Sequence, residues 1–168
     1  MPTIRTDRLI LRAPEVQDLA PYTAYRMSER VALASGTMTE FEANRSFMEL
    51  VGHWTARGFG RWVIALDDAS AGIGHTGFLQ MTPDTVPEHT WTLWSAEYEG
   101  QGYATEAARA ALDYARAHLG LSQVQANVYP ANTASLRVAE RLGARLRPDL
   151  EAPDYMPGAL TYDFQVAA

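Results

Sequence analysis

A glycine-rich turn between a strand pattern and a helix pattern constrains the fold of this chain more than any other segment. The turn and the start of the helix have the sequence Glu99-Gly100-Gln101-Gly102-Tyr103-Ala104-Thr105-Glu106-Ala107. Alanine and leucine then recur every three or four positions up to a glycine at position 120, which predicts an amphipathic helix that ends there. Backbone N–H groups are free at a helix start, and the helix dipole attracts anions. The turn therefore predicts a phosphate-binding site.

Two common phosphate-binding motifs do not fit this turn. A P-loop needs a lysine, but all 14 basic residues of the chain are arginine. A dinucleotide-binding turn needs a third glycine where Thr105 stands, and an acidic residue about 20 positions later to hold the ribose. No Asp or Glu occurs between Asp113 and Glu140. The sequence thus disfavours a nicotinamide-dependent oxidoreductase, which binding of NAD would reveal.

Composition excludes several further classes of protein. The chain of 168 residues has a net charge of −6, whereas a nucleic-acid-binding protein needs a dense cationic face. It has no Cys, which excludes disulfides, thiolate metal sites and a Cys nucleophile. No apolar run is long enough to cross a membrane, and the first residues lack the apolar core of a signal peptide. We therefore expect one cytoplasmic domain over residues 1–168, and the abundance of Ala and Arg suggests a bacterial genome rich in GC.

Strand and helix patterns alternate along the whole chain. Strand patterns cover residues 6–12, 61–66, 72–81, 89–94, 124–129 and 161–166. Helix patterns cover residues 15–27, the segment from the N-cap Thr39 to Gly58, residues 104–120, and the segment from the N-cap Asn132 to Gly143. This alternation predicts an α/β fold with a mixed sheet that is covered by helices on both faces.

Residues 94–143 resemble the GNAT superfamily of acyl-CoA-dependent N-acetyltransferases. The family's pyrophosphate loop, Q/R-x-x-G-x-G/A, falls on Glu99-Gly100-Gln101-Gly102-Tyr103-Ala104. The run at 100–107 and the later Asn132-Thr133-Ala134-Ser135-Leu136-Arg137-Val138-Ala139-Glu140-Arg141-Leu142-Gly143 are similar to the branch that includes ribosomal-protein N-terminal (alanine/serine) acetyltransferases. The opening Thr6-Asp7-Arg8-Leu9-Ile10-Leu11-Arg12 matches that branch's first strand. The resemblance is weakest over residues 31–59, where walls of the acceptor site are expected.

The resemblance implies both a fold and a reaction. The fold would be a mostly antiparallel sheet of about six or seven strands, splayed where acyl-CoA binds. The reaction would be direct attack of a primary amine, from a peptide or a small molecule, on the thioester of acetyl-CoA. The partners would be acetyl-CoA and the amine, with no metal, nucleic acid or membrane, and the protein would be a monomer or homodimer. The alternative is a catalytically silent acyl-CoA-binding or sensor protein of the same fold.

The resemblance also implies a set of residues that bind the cofactor. They belong to the strand before the loop, to the loop and the helix start that follows it, and to the start of the later helix pattern at Asn132. These residues are Thr92, Leu93, Trp94, Glu99, Gly100, Gln101, Gly102, Tyr103, Ala104, Thr105, Asn132, Ser135 and Arg137. Glu99 replaces the family's usual Gln or Arg, and a carboxylate repels a pyrophosphate. We therefore expect its side chain to point away from the loop.

Four residues are candidates for proton transfer. His89 stands where the branch usually carries a glutamate, and its near-neutral pKa suits a base that accepts the amine proton. Glu88 is the second candidate, although on a regular strand it would face the opposite side from His89. Ser135 or Tyr129 would give a proton to the leaving thiolate.

Overall fold

A computed structural model of the protein describes residues 1–33 and 36–165, with the side chains of residues 32 and 33 excepted. The strands in this part of the chain are β1 (Ile4–Arg5), β2 (Ile10–Arg12), β3 (Arg61–Ala65), β4 (Gly74–Leu79), β5 (Glu88–Leu93), β6 (Gln123–Val128), β7 (Arg145–Leu146) and β8 (Leu160–Gln165). The α-helices are α1 (Leu19–Met27), α2 (Glu40–Arg57), α3 (Tyr103–His118) and α4 (Thr133–Arg141). Short 3₁₀ turns cover Val16–Asp18, Glu29–Leu33 and Ala96–Tyr98. No helix in the described ranges is long and apolar enough to cross a membrane.

All the strands join one sheet in the order β1-β2-β3-β4-β5-β6-β8-β7. Neighbouring strands are antiparallel except β5 and β6, which run parallel. One core lies between the sheet and α3, where the alanines of α3 pack against Trp62, Phe78 and Phe164. A second core lies on the opposite face, where Tyr22 of α1 and Leu50 of α2 cover the sheet. The mixed, mostly antiparallel sheet with helices on both faces confirms the predicted fold class.

Local sequence signals account for most of the element boundaries. Thr39 caps α2, since its hydroxyl accepts from the Glu42 N–H at 3.3 Å and the Glu42 carboxylate accepts from the Thr39 N–H at 2.8 Å. Gly58 ends this helix in the left-handed conformation, with a φ of 77°. Asn132 caps α4 through its side-chain oxygen. These caps agree with the predicted helix limits.

The sheet departs from the prediction at its edges. The strand predicted over residues 6–12 is confirmed only at Ile10–Arg12, because β1 and β2 form a hairpin in which the Thr6 N–H donates to the Leu9 carbonyl at 2.9 Å. The sequence also missed β1 and β7, because a strand of two residues is too short to show alternation. The predicted last strand is β8, and its predicted final residue, Val166, lies outside the described residues.

The sheet forks between β5 and β6. The two parallel strands pair at Glu88 and Gln125, and the Gln125 N–H donates to the Pro87 carbonyl at 3.0 Å. The register includes no further pair between these strands in the described part of the chain. The rest of each strand therefore presents an open backbone edge towards the gap, as the predicted splay requires.

A buried ion pair fixes the start of α1 against the sheet. Arg12 donates to both carboxylate oxygens of Asp18, with Nη1 to Oδ2 at 2.7 Å and Nη2 to Oδ1 at 2.9 Å. Asp18 also accepts from the Gly72 N–H at 2.7 Å. Hydrogen bonding to Asp18 is the largest effect on the pKa of Arg12, which is raised. Because α1 carries Tyr25 towards the fork, this pair helps to position one wall of the site.

Candidate functional site

A cavity of about 570 Å³ opens at the fork, between the end of β5, the glycine turn and the start of α4. Most residues of the predicted cofactor set line it: Thr92, Leu93, Glu99, Gly100, Gly102, Tyr103, Ala104, Thr105, Asn132, Ser135 and Arg137. The sequence did not place six further lining residues in that set: Tyr25, Arg30, Trp91, Ala134, Val138 and Arg141. The wall thus combines backbone, apolar side chains and three arginines.

The glycine turn presents an uncapped helix start to this cavity. Gly100 and Gly102 have φ angles of 73° and 84°, values that favour glycine. No side-chain cap bond from the described residues closes the N-terminus of α3 at Gly102. A Cβ on Gly100 would meet nothing within 4 Å, so the protein itself does not fill the space above the turn. Free N–H groups, a helix dipole and open space are the features that an anion-binding site requires.

Arginines and apolar side chains complete a wall that fits coenzyme A. Arg137 and Arg141 supply positive charge near the turn, as phosphate groups require, while Arg30 is paired with Glu99. Leu93 and Val138 offer an apolar surface along the same cavity, as a pantetheine arm requires. The residues present therefore fit a ligand that combines phosphates with an apolar arm.

The backbone N–H and C=O groups of Trp91 and Leu93 form the open edge of β5. The Trp94 N–H donates across to the Ile73 carbonyl at 2.8 Å, so its backbone faces β4. Successive residues of a strand direct their backbone groups to alternate sides, and those of Leu93 and Trp91 therefore face the gap. Trp94 is buried outside the cavity, with its indole N–H donating to Nδ1 of His75 at 2.9 Å. The prediction that Trp94 contacts the cofactor does not agree with this placement, whereas Trp91 takes a position that the sequence did not assign.

The start of α4 brings Ser135 but not Tyr129 to the cavity. The Ser135 N–H donates to Oδ1 of the N-cap Asn132 at 3.1 Å, which holds the first turn of the helix in place. Both residues line the cavity. Tyr129 does not line it, and its backbone carbonyl accepts from the Asn132 N–H at 2.9 Å. Ser135 is therefore the better placed of the two predicted proton donors.

The side chains of Glu99 and Gln101 are engaged by protein groups. Glu99 forms an ion pair with Arg30, which neutralises its carboxylate at the cavity wall. Gln101 donates from Nε2 to the Glu97 carbonyl at 2.6 Å, and its side chain does not line the cavity. These contacts leave the backbone of the turn as the group that faces a ligand.

Arg8 and Glu106 buttress the turn from behind, a contact that the sequence analysis missed. The Arg8 guanidinium donates to the Gln101 carbonyl at 3.0 Å and to Glu106 at 2.7 Å, and lies 4.8 Å from the centre of the Tyr103 ring. Thr6 also donates to Glu106, at 2.6 Å. Burial raises the pKa of Glu106, but these hydrogen bonds outweigh it and the pKa is lowered. The only sequence signal was an acid in the first turn of a helix.

His89 lies in the core beneath α3, away from the cavity. Its ring stacks on Phe78 at 5.0 Å and meets the edges of Trp91 and Phe164 at 5.2 Å and 5.5 Å. Both ring nitrogens are buried and have no hydrogen-bond partner in the described part of the protein. Burial lowers the pKa of His89 to about 3. A neutral imidazole sealed from substrate and water does not suit the predicted role of base, and the structure favours Glu88 instead.

Glu88 projects from the opposite face of β5, as the strand alternation predicted. It is the first residue of β5 rather than the last of a loop, and it marks the point where the sheet forks. The side chain is buried, and the Tyr155 hydroxyl donates to Oε2 at 2.7 Å. Burial raises the pKa of Glu88, while the bond from Tyr155 partly offsets it. Glu88 does not itself line the cavity described above, but a carboxylate with a raised pKa at the fork of the sheet is a suitable proton acceptor.

The chain is similar to known proteins of one family. The model of the acetyltransferase (GNAT) domain family matches residues 8–145. The chain is 30% identical over 144 residues to an uncharacterised N-acetyltransferase, YnaD, of Bacillus subtilis strain 168, covering 84% of this chain and 82% of that protein.

Solved structures share the fold along almost the entire chain. An acetyltransferase from Agrobacterium tumefaciens superposes with a TM-score of 0.89 at 33% identity, covering 98% of this chain and 95% of that one. A ribosomal L7/L12 α-N-protein acetyltransferase, RimL, solved in complex with coenzyme A, has a TM-score of 0.76 at 16% identity and covers 98% of both chains. The second likeness shows a shared fold.

Proposed function

Because the chain belongs to the GNAT acetyltransferase family, we propose that it transfers an acetyl group from acetyl-CoA directly to a primary amine. The observation that carries the proposal is the uncapped start of α3 next to the open edge of β5. The first fits a pyrophosphate, and the second fits the amides of a pantetheine arm. The proposal keeps the expectations of a cytoplasmic location, no metal, no nucleic-acid or membrane partner, and a monomer or homodimer.

Each part of the reaction has a candidate group. Bound acetyl-CoA supplies the activated thioester, held by the backbone N–H groups from Gly102 to Thr105 and by Arg137. Glu88 accepts the proton that the attacking amine loses, directly or through water. A backbone N–H on the open edge of β5 stabilises the developing oxyanion. Ser135 donates a proton to the sulfur as the carbon–sulfur bond breaks, so that the products are an amide and a free thiol.

The acidity of the acceptor decides how much help it needs from Glu88. An α-amine has a pKa near 7.7–8.0, so roughly 10% is neutral at pH 7, whereas a lysine amine with a pKa near 10.4 is only about 0.04% neutral. A carboxylate is a weak base beside either amine, so an acceptor that is already partly neutral needs less help from Glu88. We therefore propose acceptors of that type, on a peptide or a small molecule.

The experiment that tests the proposal measures thiol release from acetyl-CoA with a panel of amines. The Glu88→Gln variant should reduce kcat/KM by roughly 10² to 10⁴-fold, the usual contribution of a general base. In the wild type, kcat/KM should rise with pH through an apparent pKa above the ordinary value of glutamate, because Glu88 must be ionised and its pKa is raised by burial. Glu88→Gln should lose this acidic limb, whereas Glu151→Gln, at an exposed position, should keep it.

Two outcomes would contradict the assignment. An acidic limb that persists in Glu88→Gln would show that another group takes the proton. Coenzyme A binding without turnover of any amine would favour the silent acyl-CoA-binding protein.

The proton donor to the leaving thiolate is tested separately. The Ser135→Ala variant should lower kcat, whereas Tyr129→Phe should not. The reverse result would assign the proton donor to Tyr129.

A further inference from the structure

Polar residues cluster around Glu88 on the sheet face that α1 and α2 cover. The strand register places Arg61 opposite Gly77, and Gly77 opposite Thr90, in one row across β3, β4 and β5. Glu88 lies two residues before Thr90, on the same face of β5. Because Gly77 has no side chain, β4 contributes no side chain between Arg61 and Thr90 in this row.

Three buried polar atoms of this cluster lack partners among the residues that the structure describes. They are Nε of Arg61, Oγ1 of Thr90 and Nδ2 of Asn127. Asn127 is close enough to Glu88 to help lower the pKa of that carboxyl, yet its amide nitrogen has no acceptor in hydrogen-bond geometry. Buried polar groups are normally satisfied, so a group of unsatisfied donors beside a proposed base indicates a place for a ligand.

Two of the arginines on this face have no carboxylate partner. Neither Arg26 nor Arg61 forms an ion pair with a residue in the described ranges, and the Arg26 guanidinium donates to Sδ of Met38, a weak acceptor, at 3.2 Å and 3.3 Å. Burial has the largest effect on the pKa of Arg61 and lowers it. The positive charge of Arg26 also lowers it, while Tyr22, Glu49 and Glu88 raise it. Two arginines that influence one another and are not in contact with a carboxylate of the described residues can together hold an anion.

We propose that the acceptor is an amine that also carries a carboxylate or phosphate group, and that Arg61 and Arg26 bind this anion while Glu88 receives the amine proton. The inference rests on the proposed acetyl transfer and adds the class of acceptor. Strands are about 4.8 Å apart, so the backbone positions of Arg61 on β3 and Thr90 on β5 are separated by roughly 10 Å. The long side chain of Arg61 shortens this span, which suits an amine and an anion that are a few bonds apart. Polyamines, which carry only positive charge, are poor acceptors for such a site.

The test compares acceptors that differ only in the anionic group. One pair is glutamic acid α-amide and glutamine α-amide, a second is O-phosphoserine amide and serine amide, and a third is a pair of peptides that begin Ser-Glu or Ser-Gln. The wild type should favour the anionic member at least tenfold in kcat/KM. A preference within the first two pairs alone identifies a small-molecule acceptor, and a preference within the third identifies a peptide. Equal kcat/KM within all three pairs would overturn the proposal.

Substitutions of Arg61 and Arg26 test whether these two arginines cause the preference for anionic acceptors. Arg61→Gln should raise KM for the anionic acceptors at least tenfold more than for the neutral ones, and Arg26→Gln should do the same more weakly. Arg61→Lys keeps the charge and should retain part of the preference. Arg45→Gln, at an exposed position of α2, is the matched control and should behave as the wild type. A full preference that persists in folded Arg61→Gln and Arg26→Gln would contradict the proposal.

A binding measurement separates this inference from the proposed function. Calorimetry with coenzyme A present compares the affinities for the same pairs without requiring turnover. Turnover of the neutral acceptors without any preference would refute the anion site alone. Preferential binding of the anionic members without turnover of any acceptor would refute the acetyl transfer and support the anion site.

Discussion

Glu106 is a single side chain on which the position of the glycine turn depends. It accepts from Thr6 and Arg8, and Arg8 in turn holds the Gln101 carbonyl. The Glu106→Gln substitution keeps the size of the side chain but removes the charge that orders Arg8. Because Arg8 is about half exposed, the loss should be modest, about 1 kcal/mol in the free energy of unfolding. We expect coenzyme A affinity to fall about threefold to tenfold, measured by calorimetry.

The control for this prediction is Asp113→Asn, which breaks an exposed ion pair with Arg116 elsewhere on α3. It should change neither coenzyme A affinity nor stability measurably. The pH dependence provides a second check, because the pKa of Glu106 is lowered in the folded protein. Its contribution to stability should be present above the ordinary glutamate pKa and be lost as the pH falls through the lowered value. Unchanged affinity in a folded Glu106→Gln variant would show that the turn holds its shape without this contact.

His89 and Glu88 show why residue roles were harder to predict than residue positions. The sequence indicated correctly that neighbouring residues on this strand face opposite sides. It did not show which side α3 covers, because that depends on packing between distant segments. Once α3 seals His89 among aromatic rings, the carboxylate on the other face becomes the better candidate. Similarly, the contact of Arg8 with Gln101 joins residues that are 93 positions apart, and no local pattern indicates it.

At the scale of elements, the start of α3 was the most predictable part of the site. Glycine favours positive φ, and small residues at helical spacing pack against a sheet, so residues 100–107 specify both the turn and the helix. Caps at Thr39 and Asn132 were equally local. The fork between β5 and β6 is different, because it results from pairing across the sheet. The sequence therefore suggested it only through family resemblance.

Two glycines allow the role of the turn to be separated from backbone strain. Gly102 at the start of α3 and Gly143 after α4 have φ angles of 84° and 76°, and a Cβ on either one would meet no protein atom closer than 3.5 Å. Replacing each by Ala should cost about 1 kcal/mol in the free energy of unfolding, because both adopt a left-handed conformation. Only Gly102→Ala should also weaken coenzyme A binding, by at least tenfold, since a residue other than glycine disfavours the positive φ that directs the N–H groups of the turn towards the proposed pyrophosphate site.

The measurement is calorimetric affinity together with urea unfolding for both variants. Equal losses of coenzyme A affinity in the Gly102→Ala and Gly143→Ala variants would show that strain alone explains the effect. Unchanged affinity in a folded Gly102→Ala variant would show that the turn does not bind the pyrophosphate. The comparison matters because each glycine ends or begins a helix, and a general loss of stability would otherwise resemble a binding defect.

At the scale of the whole molecule, the fork divides the sheet into a part ending at β5 and a part beginning at β6. Within the described part of the chain, strand pairing between the two parts is limited to Glu88 and Gln125. The hydrogen bond from Tyr155 to Glu88, the contact of His89 with Phe164, and α3, which packs across both parts, join them further. A ligand seated in the fork contacts β5, the turn and α4, and so connects elements on both sides of the gap. Its binding should therefore stabilise the molecule as a unit rather than a single loop.

The last prediction is a thermal shift that depends on the ligand. At a concentration 100 times its Kd, coenzyme A should stabilise the protein by about 2.7 kcal/mol. For a domain of this size, each kcal/mol raises the Tm by roughly 2–4 °C, so the expected shift is about 5–10 °C. NAD at the same concentration should give almost none, because the acidic residue that would hold its ribose is missing from the expected position. Hydrogen exchange should slow at the starts of both α3 and α4 and along the open edge of β5, and the Gly102→Ala variant should show a smaller shift. An equal shift with NAD would contradict the assignment of the turn, and protection confined to α3 would contradict binding across the fork.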